Sequence, residues 1–229
     1  MAERRCGVLG ADELQFLNFR SGYTGFTSTG CEPLDSVASC VARENNGVLT
    51  PTKVGLFEYN GGHMQKHASL ATPGMGLGAL DNTTLATEMR RVLGNDINLT
   101  YSQPQLAGGV RSSARDYAIY LRKLLNNQSK MAALLGSNAV CTNPLTCSSA
   151  IYSPIPSTVS WHYSLGHWIE DDPAGDGAYS SPGAFGFYPW IDTSKTLYGV
   201  LARVVVVGAY DSALCGAQIR KAWVTGLAL

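Results

Sequence analysis

The sequence predicts an α+β fold, in which a helical region is followed by an antiparallel sheet and a C-terminal helix packs on that sheet. Apolar residues recur at helical spacing through much of the first 125 residues. Beyond residue 160 the pattern changes to alternating or continuously apolar runs, which are typical of strands. A final stretch then follows Asp211, a residue suited to cap a helix. Helices and strands segregated in this order favour an α+β architecture.

The first half is predicted to contain five helices. The first is capped by Asp12 and ends near residues 20–22, where a glycine-rich loop begins. The helix with the clearest pattern carries Tyr117, Leu121 and Leu124 on one apolar stripe. The four later helices span residues 34–43, 63–71, 83–93 and 113–125.

Three strands are predicted in the second half, at residues 161–170, 184–191 and 197–207. The run 197–207 is apolar on both faces, so we expect a central strand that is covered from both sides. Residues 192–195 form a connection short enough for a hairpin. The C-terminal helix is predicted at residues 212–224, with Asp211 as its cap.

Length and composition limit the classes of protein to consider. The 229 residues predict a single domain, 1–229, and a hydrophobic content of 45% with 15% charged residues is sufficient for a packed core. The net charge of 0 gives no electrostatic basis for a nucleic-acid or anionic-membrane partner. The longest apolar run contains Arg203 and is too short to span a bilayer. No apolar segment typical of a signal peptide follows the N-terminus.

The six cysteines indicate an oxidising location. Cys31 and Cys40 lie nine residues apart, and Cys141 and Cys147 lie six apart, in loop-like sequence where a short disulfide is geometrically easy. Cys6 and Cys215 remain, with their pairing open. Three Asn-x-Ser/Thr sequons favour the same location, which predicts a secreted or extracytoplasmic mature form or trimmed piece. The sequons begin at Asn82, Asn98 and Asn127.

The stretch 179–192 is the first candidate for chemistry. A polar, glycine-rich loop leads into Ser181-Pro182-Gly183, and an aromatic strand follows. Small residues at the start of a strand leave main-chain N–H groups uncovered, and such donors can stabilise a developing oxyanion. An ordinary turn into a strand is the alternative.

Tyr59 and two histidines are further candidates. Tyr59 ends an extended segment, 54–59, directly before a helix; a phenol there could relay protons if cations lower its pKa, or could simply be buried. His63 and His67 are spaced so that they could share a metal, but Met64 stands where a zincin has glutamate. No third ligand is evident, so we predict no metal and no cofactor. His162 and His167 are expected on opposite faces of one strand, as structural residues.

Five segments in order resemble motifs of one enzyme family. Residues 14–22, LQFLNFRSG, resemble a helix ending in LLSHTSG, and residues 57–65 resemble the segment with a Tyr-x-Asn box. Residues 107–117, AGGVRSSARDY, are similar to AGGLxSTARDYARF, which is the most specific match. Residues 165–170 resemble the strand GLGWWIE, and residues 181–183 fall at a third box, Lys-Thr-Gly or His-x-Gly. The chain thus resembles serine hydrolases of the β-lactamase/penicillin-binding-protein superfamily, specifically class C β-lactamases and family VIII esterases, from about residue 11 to the end.

The resemblance implies roles for five residues. Tyr59 would relay a proton to and from a serine nucleophile, and the Ala184 N–H would form half of an oxyanion hole. Gly183 would keep the strand edge open, and Ser181 and Gly61 would contact a small-molecule ester or amide substrate. No cofactor is implied.

The sequence departs from the family in three places. No serine is followed three residues later by lysine, so the nucleophile box is absent; Thr50 and Lys53 have that spacing but lie too close to Tyr59. Gly61 replaces the asparagine of the second box. Pro182 in the third box leaves no cation there, which favours an esterase-like hydrolase over one that binds a β-lactam carboxylate tightly.

These departures predict a β-lactamase-like domain without its N-terminal strands and nucleophile helix. An apolar sheet edge near residues 197–207 would then be open to that missing segment or to a homo-oligomer. Three functions stay open: a serine hydrolase acting through an acyl-enzyme, a catalytically inactive relic or binding module of the same fold, and a metal-binding protein using His63 and His67.

Overall fold

The computed structural model describes residues 10–26, 30–205 and 208–227, and it confirms the α+β class. The helices are α1 Ala11–Leu17, α2 Val37–Ala42, α3 Gly62–Ser69, α4 Asn82–Leu93, α5 Ala114–Leu125, α6 Lys130–Leu134 and α7 Ala209–Thr225. Helices α1–α6 precede the main antiparallel sheet in the sequence, and the C-terminal helix packs on that sheet.

The predicted helices are present, but several of their ends differ. Ser113 caps α5 and Asp81 caps α4 by accepting main-chain N–H groups of the first turn. Gly10, and not Asp12, is the N-cap of α1, and this helix ends at Leu17, before the predicted end, because Phe19 adopts a positive φ of 55°. Gly208 likewise precedes α7, so Asp211 lies within the first turn and does not cap it.

The main sheet has six strands, where the sequence predicted three. Its order is β10-β9-β8-β7-β6-β4, with antiparallel pairing throughout. Two small two-stranded sheets flank it, the parallel pair β1-β5 and the antiparallel pair β2-β3. The strands are β1 Phe57–Glu58, β2 Leu99–Tyr101, β3 Val110–Ser112, β4 Val140–Cys141, β5 Ala150–Tyr152, β6 His162–Ser164, β7 His167–Ile169, β8 Tyr179–Ser180, β9 Tyr188–Ile191 and β10 Tyr198–Leu201.

The single strand predicted at 161–170 is wrong. It is a hairpin, in which Leu165 and Gly166 turn the chain with φ values of 45° and 93°. His162 and His167 therefore lie on adjacent strands, and not on opposite faces of one strand. His162 pairs with Asp171, whereas His167 is buried.

The predicted central strand at 197–207 is also wrong. Only Tyr198–Leu201 pairs, and among the described strands of this sheet it lies at the edge. Beyond Leu201 the chain leaves the sheet, and the Val205 N–H donates to the Phe185 carbonyl. Residues 206–207 lie outside the described part of the chain. The predicted strand 184–191 is shorter as well, because residues 183–186 form a turn.

Helices cover both faces of the sheet. Helix α5 packs on β9 and β10 from one side, and α7 packs on the same strands from the other. Below α7 lies an aromatic cluster, which consists of Phe19, Phe57, Ala150, Trp161, Tyr163, Trp168, Tyr188, Trp190 and Ala213. Not all of α7 is covered, since the side chain of Trp223 is 75% exposed.

Both local cysteine pairs form disulfides, as the sequence suggested. Cys31 bonds Cys40 and Cys141 bonds Cys147, which is compatible with an extracellular location. Cys215 is exposed and bonds no cysteine of the described residues, and Cys6 lies outside them, so the pairing of these two stays open. Within the ranges described, no helix combines the length and hydropathy that a membrane span requires.

Candidate active site

Helix α3 joins segments that are far apart in the sequence. Ser21, which follows α1, hydrogen-bonds His63 of α3. Gln65, two residues further on, bonds the main chain of residues 104–106 through both its amide nitrogen and its oxygen. The segments 14–22 and 57–65 therefore meet at this helix, and the segment 107–117 begins directly after the residues that Gln65 bonds.

The fourth segment, the β6–β7 turn, lies against the same helix. A Cβ on Gly166 would lie 2.9 Å from the Met64 side chain, and the Leu165 N–H donates to the Asn18 side chain at 2.7 Å. Because the turn touches both α1 and α3, it fixes the helical layer against the sheet.

Ser21 and His63 form a serine–histidine pair that the sequence did not reveal. Ser21 Oγ lies 2.6 Å from Nδ1 of His63, and Nε2 lies 2.9 Å from the Glu58 carbonyl oxygen. In the neutral ring, Nε2–H donates to that carbonyl and Nδ1 accepts the Ser21 hydroxyl. The pair has the composition of a catalytic dyad, but His63 is fully buried and Ser21 is 6% exposed. It therefore acts as a structural link between the end of α1 and α3.

The buried histidines predict a loss of stability in acid. Burial lowers the pKa of His63 from 6.5 to about 4, with Lys53 adding a smaller effect. Since the folded-state pKa lies below the unfolded one, the unfolded chain binds the proton more tightly. The contribution is fully present above pH 6.5 and is lost as the pH falls towards 4. We expect a decrease of about 2 kcal/mol from His63 in denaturant titrations over this window.

The matched variants are His63→Gln and His162→Gln. The first should flatten the dependence of the unfolding free energy on pH between 6.5 and 4, because it removes the titrating ring. The second is the control for the substitution itself, because the His162 side chain lies partly exposed at the surface. Equal slopes in all three proteins would contradict the assignment.

Tyr59 lies at the margin of the aromatic cluster. Its ring stacks on Trp168, with centroids 5.4 Å apart, and meets Phe19 and Tyr163 edge-on. Burial raises the pKa of its phenol. This is opposite in sign to the shift that a proton relay near neutral pH requires.

Asn60 and Gly61 form the turn between Tyr59 and α3. The Asn60 side chain accepts the Gly62 N–H and donates to the Tyr23 carbonyl, so it is engaged in holding the turn. Gly61 is the N-cap of α3, and a Cβ there would lie 2.8 Å from the ring of Phe26. Close packing accounts for glycine at this position.

Residues 181–184 follow β8 and lead into the turn formed by residues 183–186. The Ser181 N–H donates to the Pro189 carbonyl, and the Gly183 N–H donates to the Phe187 carbonyl at 2.7 Å. Ala184 is exposed, and its N–H donates to no acceptor among the described residues. The role of this N–H in an oxyanion hole stays a prediction.

A cavity of about 240 Å³ lies between α5, α6 and strands β7–β9. Leu121, Leu124 and Tyr179 form part of its apolar wall, and Met64 of α3 and Ser181 also line it. Ser181 is the predicted site residue that lines this cavity; Tyr59, Gly61, Gly183 and Ala184 do not line it. The described contacts of Tyr59 are to the aromatic cluster, and none of them joins it to residues 181–184.

His167 also lines the cavity, although the sequence suggested only a structural role. The Gly136 N–H donates to its Nε2 at 3.1 Å, and its ring meets Tyr179 edge-on. Burial, together with the nearby Lys195, lowers its pKa to about 4, so the ring is neutral at pH 7. Its position in a hairpin, and not in a straight strand, is what directs it towards the cavity.

The metal hypothesis receives no support from the geometry. Both ring nitrogens of His63 are engaged by Ser21 and Glu58, while His67 stacks on Phe16. Within residues 10–26, 30–205 and 208–227, no group of three or more histidine, cysteine, aspartate or glutamate side chains is arranged to hold a metal. Lys53 forms an ion pair with Glu58. The lysine that stands three residues after Thr50 therefore has a structural role.

Comparison with known proteins supports the fold. No model of a protein family matches the sequence, and no curated protein matches it. Among solved structures, the chain is similar to one titled "putative beta-lactamase" from Bacteroides dorei, with a TM-score of 0.59 and 21% sequence identity. The similarity covers 91% of this chain and 71% of that one. At this identity the likeness establishes a β-lactamase-like fold and no more.

Proposed function

We propose that this chain is the substrate-binding part of a β-lactamase-related serine hydrolase, which cleaves ester or amide bonds through an acyl-enzyme. The observation that carries the proposal is the N–H of Ala184, which has no acceptor among the described residues. Ala184 lies three residues after Ser181, and Ser181 lines the cavity. A main-chain donor beside a substrate-sized cavity suits stabilisation of an oxyanion during acyl transfer. The β-lactamase-like fold and the order of the motifs are consistent with it.

The proposed roles follow the chemistry of each group. Ala184 donates one hydrogen bond to the oxyanion, and the nucleophile's own N–H would supply the second. Ser181 lines the cavity and contacts the substrate there, Gly183 keeps the adjoining strand edge open, and Gly61 keeps the start of α3 close to Phe26. Tyr59 would relay the proton only after a cation lowers its pKa, which burial now raises.

The nucleophile itself is not evident in this sequence. No serine has lysine three residues later. The open edge of β10 and the exposed apolar side chains of α7 support the proposal that a further segment, or a second copy, completes the sheet. Under this proposal the domain is β-lactamase-like but lacks the strands and the helix that carry the nucleophile.

A catalytically inactive binding module of the same fold is the second candidate. The absence of a Ser-x-x-Lys box and the raised pKa of Tyr59 favour it. Such a chain would keep the cavity and the main-chain donor but would not form an acyl-enzyme.

Ester turnover and active-site labelling separate the two candidates. For the hydrolase we expect the domain, completed by that further segment or second copy, to hydrolyse p-nitrophenyl hexanoate and to be labelled covalently by a serine-reactive phosphonate. Tyr59→Phe should lower the rate by about 10²–10⁴, the range for loss of a general acid–base group. Mass spectrometry of the labelled peptide would identify the nucleophile. A folded chain with neither turnover nor labelling would exclude the hydrolase for this chain and favour the binding module.

A further inference from the structure

We propose that the cavity beside Ser181 binds the acyl group of the substrate, and that this group is uncharged, mainly apolar and about eight non-hydrogen atoms in size. The inference rests on the proposed function in one respect, because it assigns the cavity to the acyl side of the bond that is cleaved. The charge and polarity of the ligand are inferred from the residues of the cavity wall, and its size is inferred from the cavity volume.

The wall carries no charge at neutral pH. No aspartate, glutamate, lysine or arginine is among the described lining residues. His167 is neutral because its pKa is lowered to about 4, and burial raises the pKa of Tyr117 far above neutrality. Lys195 is not a lining residue; its ammonium lies over the Tyr179 ring and donates to the Leu135 carbonyl. A carboxylate entering the cavity would lose its hydration and find no cation among the lining residues, which is unfavourable. An apolar chain would instead be stabilised by contact with Leu121 and Leu124.

The size of the ligand follows from the volume. The cavity holds about 240 Å³, and one water molecule occupies about 30 Å³ in the liquid. The space therefore accepts about eight atoms of that size, which corresponds to a short or medium acyl chain. Large bicyclic substrates would not be enclosed.

One polar group in the wall also suits an acyl carbonyl or amide. Since the Gly136 N–H donates to Nε2 of His167, the neutral ring carries its proton on Nδ1. This side chain is buried, and Nδ1 has no partner at hydrogen-bond geometry, although the Leu165 carbonyl lies close enough to affect its pKa. A buried donor without a partner is costly, and a ligand oxygen would satisfy it.

Ser181 connects the cavity to the proposed reaction edge. It lines the cavity, and the turn that presents the Ala184 N–H begins two residues later, at Gly183. A substrate whose carbonyl oxygen accepts from Ala184 can therefore extend its acyl chain past Ser181 into the apolar space. The leaving group would then remain on the exposed side, near Phe185.

Hexanamide and hexanoate test this inference without requiring turnover. Both have eight non-hydrogen atoms, and they differ in charge at pH 7.5. In equilibrium titrations followed by NMR, we expect hexanamide to bind at least tenfold more tightly than hexanoate. Equal binding, or tighter binding of hexanoate, would overturn the inference.

A cavity-filling variant locates the binding. Met131 lines the cavity from α6 and is only partly buried, so Met131→Trp should fill the space and abolish hexanamide binding. Met75→Trp is the matched control, because Met75 is exposed and is not among the lining residues. Circular dichroism would verify that both variants fold. Unchanged hexanamide binding by folded Met131→Trp would overturn the assignment.

The two proposals can fail separately. If hexanamide binding is blocked by Met131→Trp but the chain gives no turnover or labelling, the hydrolase proposal fails and the cavity's ligand class stands. If p-nitrophenyl hexanoate is hydrolysed and Met131→Trp leaves its KM unchanged, the hydrolase stands and the acyl assignment fails.

Discussion

Replacing Arg220 by methionine is expected to lower the free energy of unfolding by about 3–5 kcal/mol, the cost of breaking a buried ion pair from one side. Arg220 lies on α7 and is 1% exposed. Its guanidinium donates to Glu170, to Asp176 and to the Tyr188 hydroxyl, each at 2.7 Å, and lies over the ring of Trp190. Methionine fills much of the volume but leaves the buried Glu170 carboxylate without its cation.

Urea denaturation at pH 7 measures this loss. Arg115→Met is the matched control, since Arg115 is exposed on α5 and its loss should change stability by no more than about 0.5 kcal/mol. In the double variant Arg220→Met, Glu170→Leu, stability should partly recover, because the uncompensated charge is removed as well. A single-variant loss below about 1 kcal/mol would mean that the network does not hold α7 on the sheet.

The same network shows why the sheet was harder to predict than the helices. Helix α5 could be placed within one residue, because its apolar stripe and its cap, Ser113, are local in sequence. Strand β8 has two residues, and it exists because Ser180 pairs with Trp168 on one side and Trp190 on the other. Pairing between distant residues leaves no periodic pattern in the local sequence from which the strand could be predicted.

The run at 197–207 illustrates the opposite error. Continuous apolar sequence is typical of a central strand, but here β10 pairs on one side only among the described strands, and Val204 is exposed beyond it. The apolar residues of this run indicated that it would be buried, but they did not identify the element that would cover it.

The candidate site was predictable in part. The motif segments could be recognised individually, and two of them, 14–22 and 57–65, meet at α3. The contact between Ser21 and His63 spans 42 residues and joins residue types that have no shared motif, so no sequence pattern could indicate it. His167 was missed as a wall of the cavity because the turn at Leu165 and Gly166 was not recognised, although glycine in a strand often marks such a break.

Gly62→Ala is expected to cost about 3 kcal/mol or more, although alanine is the better helix former by about 1 kcal/mol. Gly62 is the first residue of α3, and a Cβ there would lie 1.8 Å from the Thr24 carbonyl oxygen and 2.7 Å from its carbon. These are main-chain atoms, so no side-chain rotation can relieve the overlap. Either α3 or the loop around Thr24 must move.

Gly30→Ala provides the comparison, because no atom of the described residues lies within 4 Å of its added Cβ. We expect a change within about 0.5 kcal/mol for Gly30→Ala in the same denaturation experiment, where Gly62→Ala is strongly destabilised. Because Met64 follows Gly62 by two residues and lines the cavity, a displaced α3 should also weaken hexanamide binding by the folded fraction of Gly62→Ala. Loss of stability with unchanged binding would place the movement in the loop around Thr24 and leave α3 fixed. Unchanged stability would show that the close approach of α3 to this loop is absent in solution.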